Sequence, residues 1–213
     1  MRSAAATAAG QQADTEATST TQAALDDAVA TATSQLSTDL SSLDSDITDL
    51  PGASVFSGDL STYATDWAQM QRDYQQEQRD YQQGCGQGGY NASVVSYDAS
   101  TVNYDLSSIQ YDDSTLNYDE TSISNPLKQV QADIKAVQAD WQTLQAAMTA
   151  DPTGTASPQF SASTVSAVLA NAQKQVKTSN EALQSAQTQA KQYDDKAAKT
   201  NTAAQNLANS MHC

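Results

Sequence analysis

Between residues 95 and 148 apolar side chains return in alternating steps of four and three. The series is Val95, Ala99, Val102, Leu106, Ile109, Leu116, Ile123, Leu127, Val130, Ile134, Val137, Trp141, Leu144 and Met148, with Asp113 and Glu120 as its two polar members. A strand needs period two, and a straight amphipathic helix drifts at 3.6. A mean of 3.5 held over fifty residues marks a supercoiled helix. A second series of the same kind runs from Val165 through Leu169, Val176, Leu183, Ala190, Ala197 and Ala204 to Met211. Two shorter ones precede them. Val29, Leu36, Leu40, Leu43, Ile47 and Leu50 form one, and Phe56, Leu60, Tyr63, Trp67, Met70, Tyr74, Glu77 and Tyr81 the other.

The breaks between these series are chemically marked. Pro51-Gly52 ends the first, the Gly84 to Gly89 run ends the second, and Asp151 to Gly154 with Pro158 ends the third. Glycine and proline in such clusters do not continue a helix. The pattern therefore predicts four helices. The phase does not carry across Pro51, so a hairpin or a kink is expected there, with Ser57 and Asp59 as candidate caps of the second helix. Pro126 falls inside the third series and predicts a kink, or a restart capped by Ser124 or Asn125.

Residues 97–119 repeat Tyr-Asp every seven positions: Tyr97-Asp98, Tyr104-Asp105, Tyr111-Asp112 and Tyr118-Asp119. Read alone, the alternation Val95/Tyr97 and Val102/Tyr104 suits short strands. The same seven-residue phase continues into Leu127–Met148, so one helix accounts for both halves. Its Tyr, Asp, Ser, Thr and Asn residues are poor helix formers, and packing must hold it. The tyrosines occupy one outer face. A side contact with another helix is the expected use of such a row, and a stacking platform for a ligand is the alternative.

Folding the third helix back on the fourth around residues 154–156 pairs positions whose numbers sum to about 310. Ile134 then faces Val176 and Leu127 faces Leu183. In this register Lys191 approaches Asp119 and Glu120, and Lys196 approaches Asp113. The four residues Asp113, Glu120, Lys191 and Lys196 are thus predicted to set the register, since exposed ion pairs select an alignment more than they stabilise it. The resulting fold is all-α: an elongated antiparallel bundle or coiled coil of four helices. A four-helix end is expected from residues about 22–118 and 190–213. A helix-3/helix-4 hairpin would project from it. Residues 1–20 are expected to be a disordered tail, and 21–213 a single elongated domain.

Composition narrows the function by exclusion. The chain carries −15 net charge over 213 residues. Residues 1–127 hold 19 acids against Arg2, Arg72 and Arg79, while 128–213 hold seven lysines against six acids. Nucleic acid needs a basic face and is not an expected partner. No stretch reaches the eighteen or so apolar residues of a membrane span. His212 is the only histidine, no glycine-rich phosphate loop exists, and acidic clusters such as Asp112-Asp113 lack calcium-loop spacing. The chain reads as a protein without catalytic residues, cofactor or metal. Cys85 and Cys213 are the two cysteines. Antiparallel folding returns the C-terminus toward the Gly84–Gly89 turn, so a disulfide between them is expected in an oxidising compartment. Ser3 to Gly10 is similar to the small-residue end of a secretory signal whose earlier part is missing.

The Ala/Thr/Ser/Gln/Asp-rich helices, heptads such as Tyr104-Asp105-Leu106-Ser107-Ser108-Ile109-Gln110, and a cysteine near the C-terminus resemble secreted and envelope coiled-coil proteins of high-GC Gram-positive bacteria. The resemblance implies an extracellular or cell-envelope protein that acts as spacer, adhesin or partner-binding bundle, and it carries over no functional residue. The partner would be a protein of unknown identity, and self-association stays open. Two other readings remain: a holdase-type chaperone with tentacle helices, and a small-ligand bundle lined by tyrosines and Trp67.

Overall fold

The computed structural model describes residues 2–52, 54–83, 90–151 and 160–211, with side chains in the first helix described from residue 16 onward. Among the described residues there are four helices and no strand: α1 (Arg2–Thr48), α2 (Val55–Gln82), α3 (Tyr90–Ala150) and α4 (Ala162–Ser210). The helices pack against one another as an all-α bundle. α1 begins at Arg2, where a disordered tail had been expected. The alanine-rich run after Ser3 has the highest intrinsic helix propensity of any residue type, which local composition supplies without a core.

The helices divide into two compact units. The first combines residues 1–50 with 126–177. Its core takes Val29, Leu36 and Leu43 from α1, Val130, Val137 and Leu144 from α3, and Val165 and Ala172 from α4. On each helix these residues are seven apart, so three stripes meet along one axis. The second unit combines residues 51–125 with 178–213. Here α2 contributes Phe56, Tyr63, Met70 and Glu77, and α3 contributes Val95, Val102, Ile109 and Leu116. The buried positions of α4 are Ala186, Ala190, Ala197 and Ala204. Small residues on α4 leave room for the bulk of Tyr63, Met70 and Phe56, which is how close packing is met with so few large apolar side chains.

α3 and α4 run antiparallel as predicted; their register equals the predicted sum at Ile134 and Val176 and falls below it toward Ala99. Ile134 and Val176 line one groove, Gln187 reaches Glu120, and Gln205 reaches the backbone of Ala99. These pairs sum to 310, 307 and 304. The correction concerns α1. It belongs to a different unit from α2, so residues about 22–118 and 190–213 do not make up one unit as expected. It lies along residues 126–177, so that part of the hairpin is a three-helix bundle rather than a bare projection. Ser57 and Asp59 do not cap α2 either, which starts two residues before Ser57 at Val55. Ser57 Oγ instead donates to the Ser54 carbonyl at 2.7 Å.

Pro126 interrupts neither α3 nor its heptad phase, and no restart forms there: Ser124 Oγ donates back to the Thr121 carbonyl. Pro126 does mark the point where α3 passes from the second unit to the first. The unfavourable composition of 96–122 is offset locally. Ser100, Ser107, Ser114 and Thr121, again seven apart, each donate to the carbonyl four residues earlier. That bond satisfies the hydroxyl inside the helix instead of letting it compete for another backbone conformation.

Candidate functional site

Heptad letters place the polar groups. With Val95 at d, the core residues of α3 fall at a and d, the tyrosines at f, and Asp98, Asp105, Asp112, Asp119, Asp133 and Asp140 at g. The same lettering puts Asp59, Asp66, Asp73 and Asp80 at g of α2, and Asp39 and Asp46 at g of α1. Antiparallel neighbours bring g against g, so the flanking contact of each bundle is aspartate on aspartate. Within the second unit Asp119 faces Asp59, Asp112 faces Asp66, Asp105 faces Asp73 and Asp98 faces Asp80. Within the first, Asp133 faces Asp46 and Asp140 faces Asp39.

Burial is the main cause that raises the affinity of these carboxyls for protons, and the facing carboxylate adds to it. Asp98 and Asp112 are pushed up to about 6 and Asp105 to about 7. Asp59, Asp133 and Asp140 move in the same direction. Glutamines one turn earlier hold several members. Gln69 Nε2 donates to Asp73 and Gln76 Nε2 to Asp80, both at 2.8 Å, and Gln35 Nε2 to Asp39 at 3.1 Å. Arg72 and Arg79 donate in turn to the side-chain Oε1 of Gln69 and Gln76. The two Arg-Asp-Tyr-Gln-Gln repeats of α2 thus build a relay from guanidinium through amide to carboxylate. Glu77 stands on the core side of the same helix. It is fully buried, neither carboxyl oxygen has a hydrogen-bond partner, and burial followed by the charge of Asp98 pushes it up to about 7.

A separate polar layer crosses the second unit. Tyr63 of α2 is fully buried, and its hydroxyl donates to Asp194 Oδ1 of α4 at 2.9 Å. Its ring stacks on Tyr193 with centroids 5.6 Å apart and an interplanar angle of 22°. Lys196 Nζ lies 5.6 Å from the Tyr193 ring centre, within cation–π reach. Burial first, then the charges of Asp194 and Asp113, raise the Tyr63 hydroxyl well above its ordinary value, so it stays a donor. Asp113 is therefore part of a layer drawn from all three helices. Glu120 accepts from Gln187 Nε2 at 3.0 Å. Lys191 forms its ion pair with Asp195 on its own helix, at 3.4 Å.

Two surface features complete the picture. Tyr97, Tyr104, Tyr111 and Tyr118 are each 72–75% exposed, so the side contact expected for them is absent and the row faces outward. From Ser96 to Ser122, Ser, Thr, Asn and Gln fill the b, c and e positions around the rings. Between α2 and α4 a groove of about 410 Å³ is lined by Trp67, Tyr74, Lys196 and Lys199 with Gln71 and Gln75. Cys85 and Cys213, with their expected disulfide, lie outside the described residues. Among the described residues no group of three or more potential metal ligands comes together, and no helix is long and apolar enough to cross a membrane. The facing aspartate rows went unnoticed in the sequence, although their signal was present: one residue type at one heptad position on three helices.

No protein-family model, no curated protein and no solved structure matches the chain.

Proposed function

We propose that the protein is a non-enzymatic interaction bundle of the cell exterior, and that it grips an extended, uncharged polymer through the tyrosine row of α3. The observation behind this reading is the exposure of four large aromatic rings at one heptad position, with no charged side chain at b, c or e beside them. Seven helical residues advance about 10.5 Å, so the rings form a ruler some 30 Å long. A disaccharide of a β-1,4-linked glycan advances by the same length, and the flat faces of its sugars stack on aromatic rings while hydroxyls meet Ser, Thr and Asn. The strong negative charge supports a neutral polymer over an anionic one. The displaced carboxyls face one another between helices rather than a cleft, which argues against acid–base catalysis.

Co-sedimentation with insoluble chitin, cellulose and cell-wall glycan tests this. The wild-type chain should bind at least one of them. A variant with all four tyrosines replaced by serine should keep its helical circular dichroism and bind more than about tenfold more weakly. Each stacked ring contributes ~0.5–1.5 kcal/mol beyond its area, and tenfold corresponds to ~1.4 kcal/mol. Failure to bind any of the three, or equal binding by the variant, overturns the reading. The groove beside Trp67 favours a second reading, a small aromatic anion held by Lys196 and Lys199. Quenching of Trp67 emission in a Trp141→Phe background separates that site from the tyrosine row.

A further inference from the structure

The facing aspartates pose a question of charge balance. Six carboxyl pairs repeat at heptad steps, their members summing to 178 in the second unit and 179 in the first. In every pair one oxygen is buried and lacks a partner: Oδ2 of Asp59, Asp98, Asp105, Asp112, Asp133 and Asp140. Asp105 and Asp112 are only 8% and 7% exposed, and Glu77, with two more orphan oxygens, is at 0%. Two carboxylates cannot satisfy each other, because both only accept. Something must supply a donor or a positive charge.

The neighbouring groups do not supply it. Arg72 acts on Asp105, but its guanidinium bond goes to Gln69, and that of Arg79 goes to Gln76. On α4, Lys191 is committed to Asp195, Lys196 lies over Tyr193, and Lys199 lines the Trp67 groove. Asp113 and Asp194 face Tyr63. In the first unit Lys135 and Lys177 line a groove between α3 and α4 that Asp133 and Asp140 do not line, and among the described residues no lysine acts on either carboxyl. A divalent cation is a poor fit. Successive pairs are about 10.5 Å apart, which leaves two carboxylates per site, whereas calcium takes six to eight oxygens.

A proton fits. On one oxygen of each pair it converts that carboxyl into a donor toward the facing carboxylate, removes one charge, and satisfies the orphan oxygen at once. The glutamine bonds to Asp39, Asp73 and Asp80 hold the second member of three pairs as the acceptor. We propose that each facing pair holds one proton between its members, and that the row of pairs makes the bundle responsive to pH, firm in acid and loosened above neutrality.

The sign follows from where protons reside. The unfolded chain loses its carboxyl protons near pH 4. The folded chain keeps those of Asp98, Asp105 and Asp112 to about 6–7. The folded state binds more protons in between, so stability is full in acid and falls as pH rises from about 4 through 7. Thermal unfolding of the full chain between pH 4.5 and 8.5, with Cys85 and Cys213 reduced, should show a melting temperature that drops by about 10 °C or more. Folding near pH 6 should take up about two or more protons per chain, read from the dependence of the unfolding enthalpy on buffer ionisation. A variant carrying Asp98→Asn, Asp105→Asn and Asp112→Asn provides amide donors in place of protons. It should melt higher than wild type at pH 8 and show a flatter profile. The exposed control Asp27→Asn, Asp44→Asn, Asp49→Asn should keep the wild-type slope.

A melting temperature that rises or stays level from pH 5 to 8 overturns the proposal, as does an equal flattening in the control. Recovery of the pH 8 melting temperature by millimolar calcium would assign the pairs to a cation and also overturns it. Should the triple variant fail to fold, proton uptake by wild type decides alone, and its absence rejects the idea.

Discussion

Ile109→Ala is expected to lower the unfolding free energy by about 2–5 kcal/mol, the range for an aliphatic side chain removed from a close-packed core. Ile109 is fully buried where α2 and α4 meet α3. Alanine is the better helix former by a few tenths of a kcal/mol, which does not offset the lost packing. The contrast lies two residues away. Tyr111 is 73% exposed, so Tyr111→Ala should change stability by no more than about 0.5 kcal/mol. In the first unit Leu36→Ala should match Ile109→Ala, because Leu36 is equally enclosed. Urea unfolding of the three variants decides the matter. Equal midpoints for Ile109→Ala and Tyr111→Ala would mean that the d positions do not form the core.

Glu77→Met should act in the opposite direction, by an amount that grows from pH 4.5 to about 7. Glu77 continues the Phe56, Tyr63, Met70 stripe, so a methionine one heptad after Met70 fits the same kind of position. The carboxyl has no hydrogen-bond partner, and burial raises it to about 7 from an ordinary 4.5. Its folded form resists ionisation. Its penalty is therefore small below pH 4.5, grows as pH rises, and levels off above 7. A rise from 4.5 to about 7 corresponds to about 3 kcal/mol as an upper bound. Methionine should recover about 1–3 kcal/mol at pH 8 and much less at pH 4.5. Denaturant midpoints at both values measure it. Equal gains at both would show that the benefit is packing rather than charge.

Much of this architecture could be read from spacing alone. The d residues of α3 from Val95 to Leu144 are all buried, and the α3–α4 register fell within a few residues of the predicted sum. Those are properties of one helix or one hairpin, and heptad phase determines them. Which helix covers which half of α3 was not legible. The stripes of α1 and α2 are similar in length and polarity, and no loop composition states which segment each will cover. In a two-stranded α3–α4 seam the g positions would be a solvated flank. A third helix buries that flank, which is why Asp105 and Asp112 lie inside and why the rows they belong to were overlooked. The tyrosines were located correctly at f but expected to pack, because bulk normally seeks cover.

Chemical crosslinking between α1 and α3 tests the two-bundle account most directly. Asp39→Cys with Asp140→Cys, in a chain whose Cys85 and Cys213 are serine, should join through a short thiol-reactive linker. Asp66→Cys with Asp112→Cys should join equally well, since both pairs occupy facing g positions. A bare α3–α4 hairpin with α1 packed elsewhere would link 66 to 112 and leave 39 and 140 unjoined, and that result would contradict the account.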